Sequence, residues 1–274
     1  TFAARWTNCG RYSTLRDLKG RMVTLRVISL GWGVQSWTLA AMVALEELPP
    51  VDYAIHADTT HEHKGTYEHA AKWTPWLGEH GVTVVTVLAN RPDVVREDWG
   101  ASTLIPAFST GITTGDRGQI RRQCTHDWKI MPIRRFIRSV IDRPTPGAVH
   151  SLQGISYDEW RRMRTSDVKY IENKYPLVDM RMTRSDCVAW LQSHQLDVPP
   201  KSACVFCPFK NIDSWKELKR QGGEDWQYAV AADTAIRNKR VGHGHLLYVH
   251  PARKPLAEAV NIPEDHGAYQ SELD

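Results

Sequence analysis

A short glycine loop after an apolar run has the clearest chemical potential in this sequence. The apolar run 25–30 ends at Gly31, and Gly33 and the hydroxyl residue Ser36 follow before a helix-forming run begins. A strand, a tight loop and a helix N-terminus direct backbone N–H groups toward one point, which suits an anion. The spacing is neither a Walker A loop nor GxGxxG, so phosphate binding is one interpretation and an ordinary strand–helix turn is the other.

Polar and cationic side chains follow at two further places. Asp58 and Thr59 come directly after a second short apolar run, where Asp58 is placed to contact a ribose, a base or a metal. Helix capping is the simpler interpretation of the same residues. Further along, Arg121, Arg122 and Lys129 lie close together, and their charges favour an anionic ligand.

Gly154 and Ser156 lie in a turn that follows another predicted strand. Ser156 and Glu159 have the spacing of a capping box, which by itself explains both polar side chains. This explanation leaves room for ligand contacts by the glycine turn, so both interpretations stay open.

Four cysteines from three segments could supply the thiolates of a metal centre. They are Cys124, Cys187, Cys204 and Cys207. Pro208 follows the last of them, an arrangement that often accompanies iron–sulfur ligation. A [4Fe–4S] cluster is the leading interpretation, and a structural Zn²⁺, a redox dithiol and inert thiols are the alternatives. Cys9 lies outside the predicted core and receives no role.

Alternating strand and helix patterns position these residues. The predicted strands cover 25–30, 52–57, 82–88 and 148–154, and the predicted helices cover 36–47, 67–80 and 130–141. Such alternation predicts an α/β fold, a Rossmann-like parallel sheet with helices on both faces. Ligands bind outside the carboxyl ends of strands in these sheets, which is where the polar segments lie.

The pattern changes after about residue 155, where Arg, Trp and most of the cysteines are found. Helices are predicted over 184–195 and 212–221, and a strand over 245–250. We therefore expect an N-terminal extension over 1–21, a nucleotide-binding α/β domain over 22–154, and a cysteine-bearing C-terminal region over 155–274 packed on it.

Composition narrows the class of partner. The chain has 274 residues, 42% hydrophobic and 24% charged, with 11 Trp. No apolar run approaches the ~20 residues that span a bilayer, and the first residues lack the apolar core of a signal peptide, so we expect a cytoplasmic protein without membrane contact. The net charge is +4, but residues 117–220 hold 20 Lys and Arg against 11 Asp and Glu. This segment suits a nucleotide or nucleic acid, although a solvated surface is the simpler alternative.

Taken in order, these stretches resemble the PP-loop ATP pyrophosphatase superfamily (adenine nucleotide alpha-hydrolase-like), in its PAPS-reductase-like branch. The branch's loop Ser-Gly-Gly-x-Asp-Ser is matched by residues 31–36, and its strand-end Asp-Thr by residues 58–59. Residues 122–129 and 154–159 resemble later motifs, and residues 184–187 and 202–208 resemble phage and bacterial members of the branch. The resemblance covers about residues 25–250 and implies a Rossmann-like fold that binds an adenine nucleotide.

The resemblance implies an ATP-dependent enzyme. The residues implied to bind nucleotide are Gly31, Trp32, Gly33, Ser36, Asp58, Thr59, Gly154 and Ser156. Those implied to act in catalysis are Gln35, Ser36, Arg121, Arg122 and Lys129. A substrate oxygen would attack the ATP α-phosphate while Mg²⁺ screens the departing pyrophosphate, and a sulfur nucleophile would then displace AMP. The implied acceptor is a nucleic acid or nucleotide, with a sulfur donor protein as a further partner.

Departures from the branch's pattern keep other functions open. Gln35 replaces the loop aspartate and cannot hold Mg²⁺ as a carboxylate does, and Gly31 replaces the first loop serine. The Glu-Cys-Gly-Leu-His tail of PAPS reductases has no counterpart, since the sequence given ends Tyr-Gln-Ser-Glu-Leu-Asp. The alternatives are a PAPS or APS (sulfonucleotide) reductase that uses another cysteine, and a catalytically silent nucleotide- or nucleic-acid-binding module.

Overall fold

The computed structural model describes residues 24–89, 94–95, 105–141 and 143–261. The strands are β1 (Leu25–Ser29), β2 (Tyr53–Asp58), β3 (Val84–Leu88), β4 (Phe108–Gly111), β5 (Arg117–Gln119), β6 (Val149–Gln153), β7 (Ile171–Lys174) and β8 (His245–Tyr248). The helices are α1 (Val34–Ala44), α2 (Lys64–Glu79), α3 (Met131–Val140), α4 (Pro176–Asp179), α5 (Arg184–Ser193), α6 (Ile212–Gln221), α7 (Gly223–Ile236) and α8 (Leu256–Ala259). A π-helical segment, Thr125–Ile130, precedes α3, and 3₁₀ turns cover Tyr157–Arg162 and Val241–His243.

The chain divides into two compact units, and both are discontinuous in sequence. The first takes the described residues up to Ala57, with Glu68–Val87 and Pro132–Lys201. The second takes Asp58–Tyr67 and the described residues of Leu88–Met131 and Ser202–Asp274. The sequence suggests a single boundary near residue 154, whereas β7, α4 and α5 belong with the first unit because β7 pairs with β6. The predicted extension over 1–21 lies outside the described residues.

A five-stranded sheet organises the first unit, with strand order β3-β2-β1-β6-β7. The pairs β1–β2, β1–β6 and β6–β7 are parallel. Successive strand residues face opposite sides: Val27 packs with α3 residues such as Ile137, and Ile28 packs with α1 and α5. Both faces are thus covered by helices, as a parallel sheet requires. The predicted α/β, Rossmann-like fold is confirmed.

The strand order reverses direction between β1 and β6. From β1 the chain adds β2 and then β3 on one side, and β6 and β7 extend the sheet on the other. The carboxyl ends of the two neighbouring strands therefore flank a topological switch point, where open α/β sheets bind their ligands. The loops that follow these strands begin at Leu30 and Gly154.

The second unit contains a three-stranded antiparallel sheet, in the order β5-β4-β8. Its core includes Trp128, Phe206 and Trp215 together with small residues of α7 such as Ala229 and Ala232. None of the three strands exceeds four residues. Packing of the aromatic side chains against α6 and α7, rather than the sheet alone, therefore stabilises this unit.

Candidate functional site

The loop between β1 and α1 presents the first turn of a buried helix. Every residue of α1 except Gln35 is buried. Gly33 is the N-cap residue, with extended backbone angles (φ −86°, ψ 168°), and no side chain caps the helix. The first turn holds no acidic residue. Its backbone N–H groups and the positive end of the helix dipole therefore remain suited to an anion.

Ser36 holds the loop closed from inside. Its Oγ accepts a hydrogen bond from the Gly31 N–H at 3.2 Å and donates one to the Gly33 carbonyl at 3.3 Å. The hydroxyl thus fixes both glycines relative to the helix start. This is a positioning role, and it accounts for a hydroxyl residue seven positions after the end of β1.

Trp32 departs from the expected role. Its backbone lies in the left-handed region, with φ of 54°, where the branch's loop pattern has glycine. Its ring is 1% exposed and packs against Trp37, His56 and His69, with ring centroids 5.8 to 6.4 Å apart. Only the backbone of Trp32 is therefore available to a ligand, and burial of the ring compensates for the backbone strain.

Gly154 is required by a close approach between the two loops at the switch point. A Cβ at this position would lie 2.6 Å from the backbone N of Ser36 and 2.8 Å from its Cα. Backbone atoms cannot give way as a flexible side chain can, so no larger residue fits. The structure brings Gly31, Gly33, Ser36 and Gly154 together at the start of α1.

Gln35 is engaged with the turn after β6. Its Nε2 donates to the Ser156 Oγ at 3.4 Å and to the Glu159 Oε2 at 3.1 Å. Glu159 also accepts from the Arg162 guanidinium at 2.7 Å. The position that lacks the loop aspartate is therefore bonded to a carboxylate from another segment, so negative charge is still present beside the loop.

The capping-box interpretation of Ser156 and Glu159 is wrong. No side chain caps the 3₁₀ turn Tyr157–Arg162. The Ser156 hydroxyl instead bonds the Asp158 carboxylate and thereby lowers the pKa of Asp158. Ser156 is fully buried, so its contacts with Gln35 and Asp158 tie this turn to the loop.

Asp58 and Thr59 lie in the second unit and have partners there. The Asp58 Oδ1 accepts from the Thr60 N–H at 2.7 Å and from the Tyr67 hydroxyl at 2.8 Å. Burial, followed by the charge of Asp58, raises the pKa of Tyr67. The Thr59 hydroxyl lies 3.4 Å from the Cys204 Sγ.

Glu62 and Lys129 form an ion pair that joins distant segments of the second unit. The Lys129 Nζ donates to the Glu62 Oε1 at 2.9 Å, and the Ser202 hydroxyl donates to Oε2 at 3.3 Å. The Glu62 side chain is 1% exposed. Burial acts to lower the pKa of Lys129, but Glu62 and Cys204 outweigh it, and that pKa lies above its ordinary value. Lys129 is thus committed to a buried carboxylate.

Three cysteines of the second unit are electrostatic neighbours. Burial, with smaller contributions from Glu62 and Cys207, raises the pKa of Cys204 to about 12, against the lowering effects of Lys129 and Thr59. Burial also raises the pKa of Cys124, against the lowering effect of Arg122 and together with a raising effect of Cys207. Without a metal, the Cys124 and Cys204 thiols are therefore protonated at neutral pH.

Cys187 belongs to the first unit, whereas the other three cysteines belong to the second. It is fully buried in the apolar core with Leu177 and Leu191. Burial raises the pKa of Cys187 to about 11, against the lowering effect of a hydrogen bond with Thr38. Its surroundings are typical of a small apolar core residue.

The two predicted arginines differ in their contacts. The Arg122 guanidinium lies 5.1 Å from the centre of the Phe209 ring and hydrogen-bonds the Cys124 thiol. Arg121 is exposed.

Sequence reasoning missed the roles of Glu62 and Tyr67, because their partners are buried contacts that no local pattern signals.

In sequence, neither a protein-family profile nor a curated protein matches this chain. Several solved structures are similar to it, and two of them are named here. One is the phosphoadenylyl-sulfate (PAPS) reductase from Candida auris, 13% identical over 65% of this chain and 76% of that one, with a TM-score of 0.42. The other is the U34-tRNA thiolase NcsA from Methanococcus maripaludis with its [4Fe-4S] cluster, 13% identical over 77% of this chain and 71% of that one, with a TM-score of 0.41.

Two further observations concern the described residues alone. No helix among them combines the length and apolar character that crossing a bilayer requires. No group of three or more His, Cys, Asp or Glu side chains within them is arranged to hold a single metal ion.

Proposed function

We propose that this chain is an ATP-binding enzyme of the PP-loop type, PAPS-reductase-like, that activates an acceptor oxygen by adenylylation for sulfur transfer. The observation that carries the proposal is the uncapped N-terminus of α1 at the switch point, held by Ser36 and closed over by Gly154. Its amides would bind the nucleotide phosphates, because aligned N–H groups stabilise an anion without reorganising.

The proposed chemistry assigns different tasks to the residues around this loop. The acceptor oxygen attacks the α-phosphorus of ATP, the bond to the bridging oxygen breaks, and pyrophosphate leaves. A bound Mg²⁺ supplies charge neutralisation on the pyrophosphate. Gln35 would donate a hydrogen bond rather than ligate the metal. The carboxylate that accepts a hydrogen bond from Gln35 is that of Glu159.

In the second step of the proposal, a sulfur nucleophile attacks the adenylylated carbon of the acceptor and AMP leaves. We propose that Cys124, Cys204 and Cys207 hold an iron–sulfur centre for this step, and that Cys187 does not take part. Cys207 interacts electrostatically with both Cys124 and Cys204, and this coupling supports treating the three thiols as one group of ligands. When bound, such a centre supplies a site for sulfide or electrons.

Metal content and spectra of protein purified without oxygen test this ligand assignment. We expect an absorption band near ~400 nm and about equal iron and sulfide. Cys204→Ser should lose both, whereas Cys187→Ser is the matched control and should keep them. Colourless protein that binds zinc, or loss of iron in Cys187→Ser, would contradict the assignment.

Nucleotide binding and turnover test the enzyme itself. We expect MgATP to bind to the full chain in calorimetry, and pyrophosphate to be released once an acceptor is present. ATP binding without turnover under any acceptor, together with gain of pyrophosphate release in Gln35→Asp, would favour the silent module. Release of sulfite from PAPS or APS with a dithiol, without ATP, would favour the reductase.

The four described cysteines are free thiols, which fits the reducing cytoplasm where we place this protein.

Arg121 and Arg122 lie in the basic segment 117–220 and would contribute to binding a polyanionic acceptor. A sulfur donor protein remains part of the proposal, because ATP supplies no sulfur.

A further inference from the structure

Two large aromatic side chains are exposed next to the nucleotide loop. Trp160 is 53% exposed and Tyr157 is 45% exposed, although rings of this size usually bury their apolar faces. Both belong to the 3₁₀ turn Tyr157–Arg162. Residues three positions apart eclipse one another in a 3₁₀ helix, so the two rings lie on the same side of the turn.

Arginines surround this aromatic pair. The Arg161 guanidinium lies 5.9 Å from the centre of the Trp160 ring. Arg164 is exposed and donates to the carbonyls of Arg161 and Met163, which holds its guanidinium beside the turn.

A second segment continues the same surface. The Tyr157 N–H donates to the Met182 carbonyl at 2.7 Å, so exposed Arg181 lies next to the turn. Within the described part of the chain, no carboxylate pairs with Arg161, Arg164 or Arg181. The aromatic–arginine surface therefore consists of Tyr157, Trp160, Arg161, Arg164 and Arg181.

The same turn reaches the loop of the proposed nucleotide site. Glu159, between the two aromatic residues, accepts from Gln35, and Ser156 at the start of the turn does so too. A nucleic-acid strand bound to the aromatic–arginine surface would thus present its nucleotides beside the N-terminus of α1. We propose that this surface binds single-stranded nucleic acid, the acceptor class of the proposed enzyme, and this inference rests on the proposed function.

The chemistry of the surface selects a single strand over other polyanions. Exposed rings stack on unpaired bases, and this stacking is lost when the bases are paired in a duplex. Guanidinium groups contact phosphates and add a salt-dependent term. An acidic peptide would use the arginines but would leave both rings without a partner.

Fluorescence anisotropy with labelled 12-nucleotide single strands of RNA and of DNA, and with the matching duplexes, tests this inference on the full chain. We expect a single strand to bind more tightly than its duplex, and the RNA and DNA probes distinguish which acid is recognised. Trp160→Ala should weaken binding about tenfold, while Trp160→Phe, which keeps a stacking ring, should stay within about twofold. The Arg161→Ala/Arg164→Ala variant should reduce the salt slope by about 1.4.

Arg220→Ala is the matched control, because Arg220 is exposed on α6 and paired with Glu217. It should bind like the unaltered chain. Equal binding of duplex and single strand, or unchanged affinity in Trp160→Ala, would overturn the inference. A separate measurement of MgATP binding keeps the two proposals distinguishable. Trp160→Ala should still bind MgATP. If the unaltered chain does not bind MgATP, that result contradicts the nucleotide site and leaves the nucleic-acid surface to be judged by the anisotropy experiment.

Discussion

The β1–α1 loop of the first unit and the cysteine region of the second differ in the chemical groups that form them. The loop uses backbone: two glycines, uncapped amides and one serine hydroxyl. The cysteine region uses charged and titratable side chains, with Glu62 and Lys129 beside the Cys204 thiol. A site formed by backbone groups is disrupted when the chain is displaced. A site formed by side chains is disrupted when one partner of a buried pair is removed.

The largest effect that separates the two regions is expected at Gly154. In Gly154→Ala the new Cβ would meet the Ser36 backbone, so the loop must shift or the strand must move. We expect unfolding free energy to fall by about 2–3 kcal/mol and MgATP affinity to fall at least ~10-fold. Chemical denaturation and calorimetry measure both. Gly78→Ala is the control, because no atom lies within 4 Å of its Cβ and Ala favours a helix. Unchanged ATP affinity in Gly154→Ala would remove the loop from the site.

A comparable effect on stability, without loss of ATP binding, is expected at Lys129. Lys129→Met leaves the Glu62 carboxylate buried and unpaired, which costs about 3 kcal/mol. Lys72→Met is the matched control, since Lys72 and Asp197 are 59% and 47% exposed and their pair contributes under about 1 kcal/mol. Urea titration of the three proteins gives the values. Equal losses in both variants would show that burial of Glu62 does not decide the cost.

A smaller effect appears on acidification, and it occurs in both units. Burial lowers the pKa of His69 in the first unit and of His250 in the second to about 4. The unfolded chain, with ordinary histidine pKa values near ~6.5, binds protons first. Stability is therefore full above pH ~6.5 and falls toward pH 4, by about 2 kcal/mol per histidine at pH 5.

Hydrogen exchange, which reports on each unit separately, measures this pH dependence. His69→Phe should flatten the profile of the first unit and leave that of the second unchanged. The His69 Nε2 has no hydrogen-bond partner in the described chain, so phenylalanine removes the proton site without removing a bond. A first-unit profile as steep as before would mean that other groups titrate.

The sequence predicts the first unit well and the second poorly, for a physical reason. Strands β1 (Leu-Arg-Val-Ile-Ser) and β2 (Tyr-Ala-Ile-His-Ala-Asp) are largely apolar and stand out from their neighbours. Strand β7, with sequence Ile-Glu-Asn-Lys, is short and polar because it lies at the edge of the sheet. Strand β4 is equally short and β5 is shorter still, and β4 pairs with both β5 and the remote β8.

Among site residues, backbone roles were predictable and side-chain pairings were not. Glycines and a serine between a strand and a helix have a local signature, which identified the loop. Glu62 and Lys129 are 67 positions apart, so their pairing has no local signature. Cys187 shows the opposite case: it and Leu191 are four positions apart and both buried, an apolar helical spacing that indicates a core residue.

Trp32 gives the loop a property that a glycine would not. A ring held among Trp37, His56 and His69 fixes the backbone on either side before any ligand arrives. The loop therefore loses its conformational entropy during folding rather than on binding, and association of the nucleotide requires no slow rearrangement. We therefore expect nucleotide to associate in a single kinetic phase, at a rate set by encounter, with differences in affinity among nucleotides appearing in how long each stays bound.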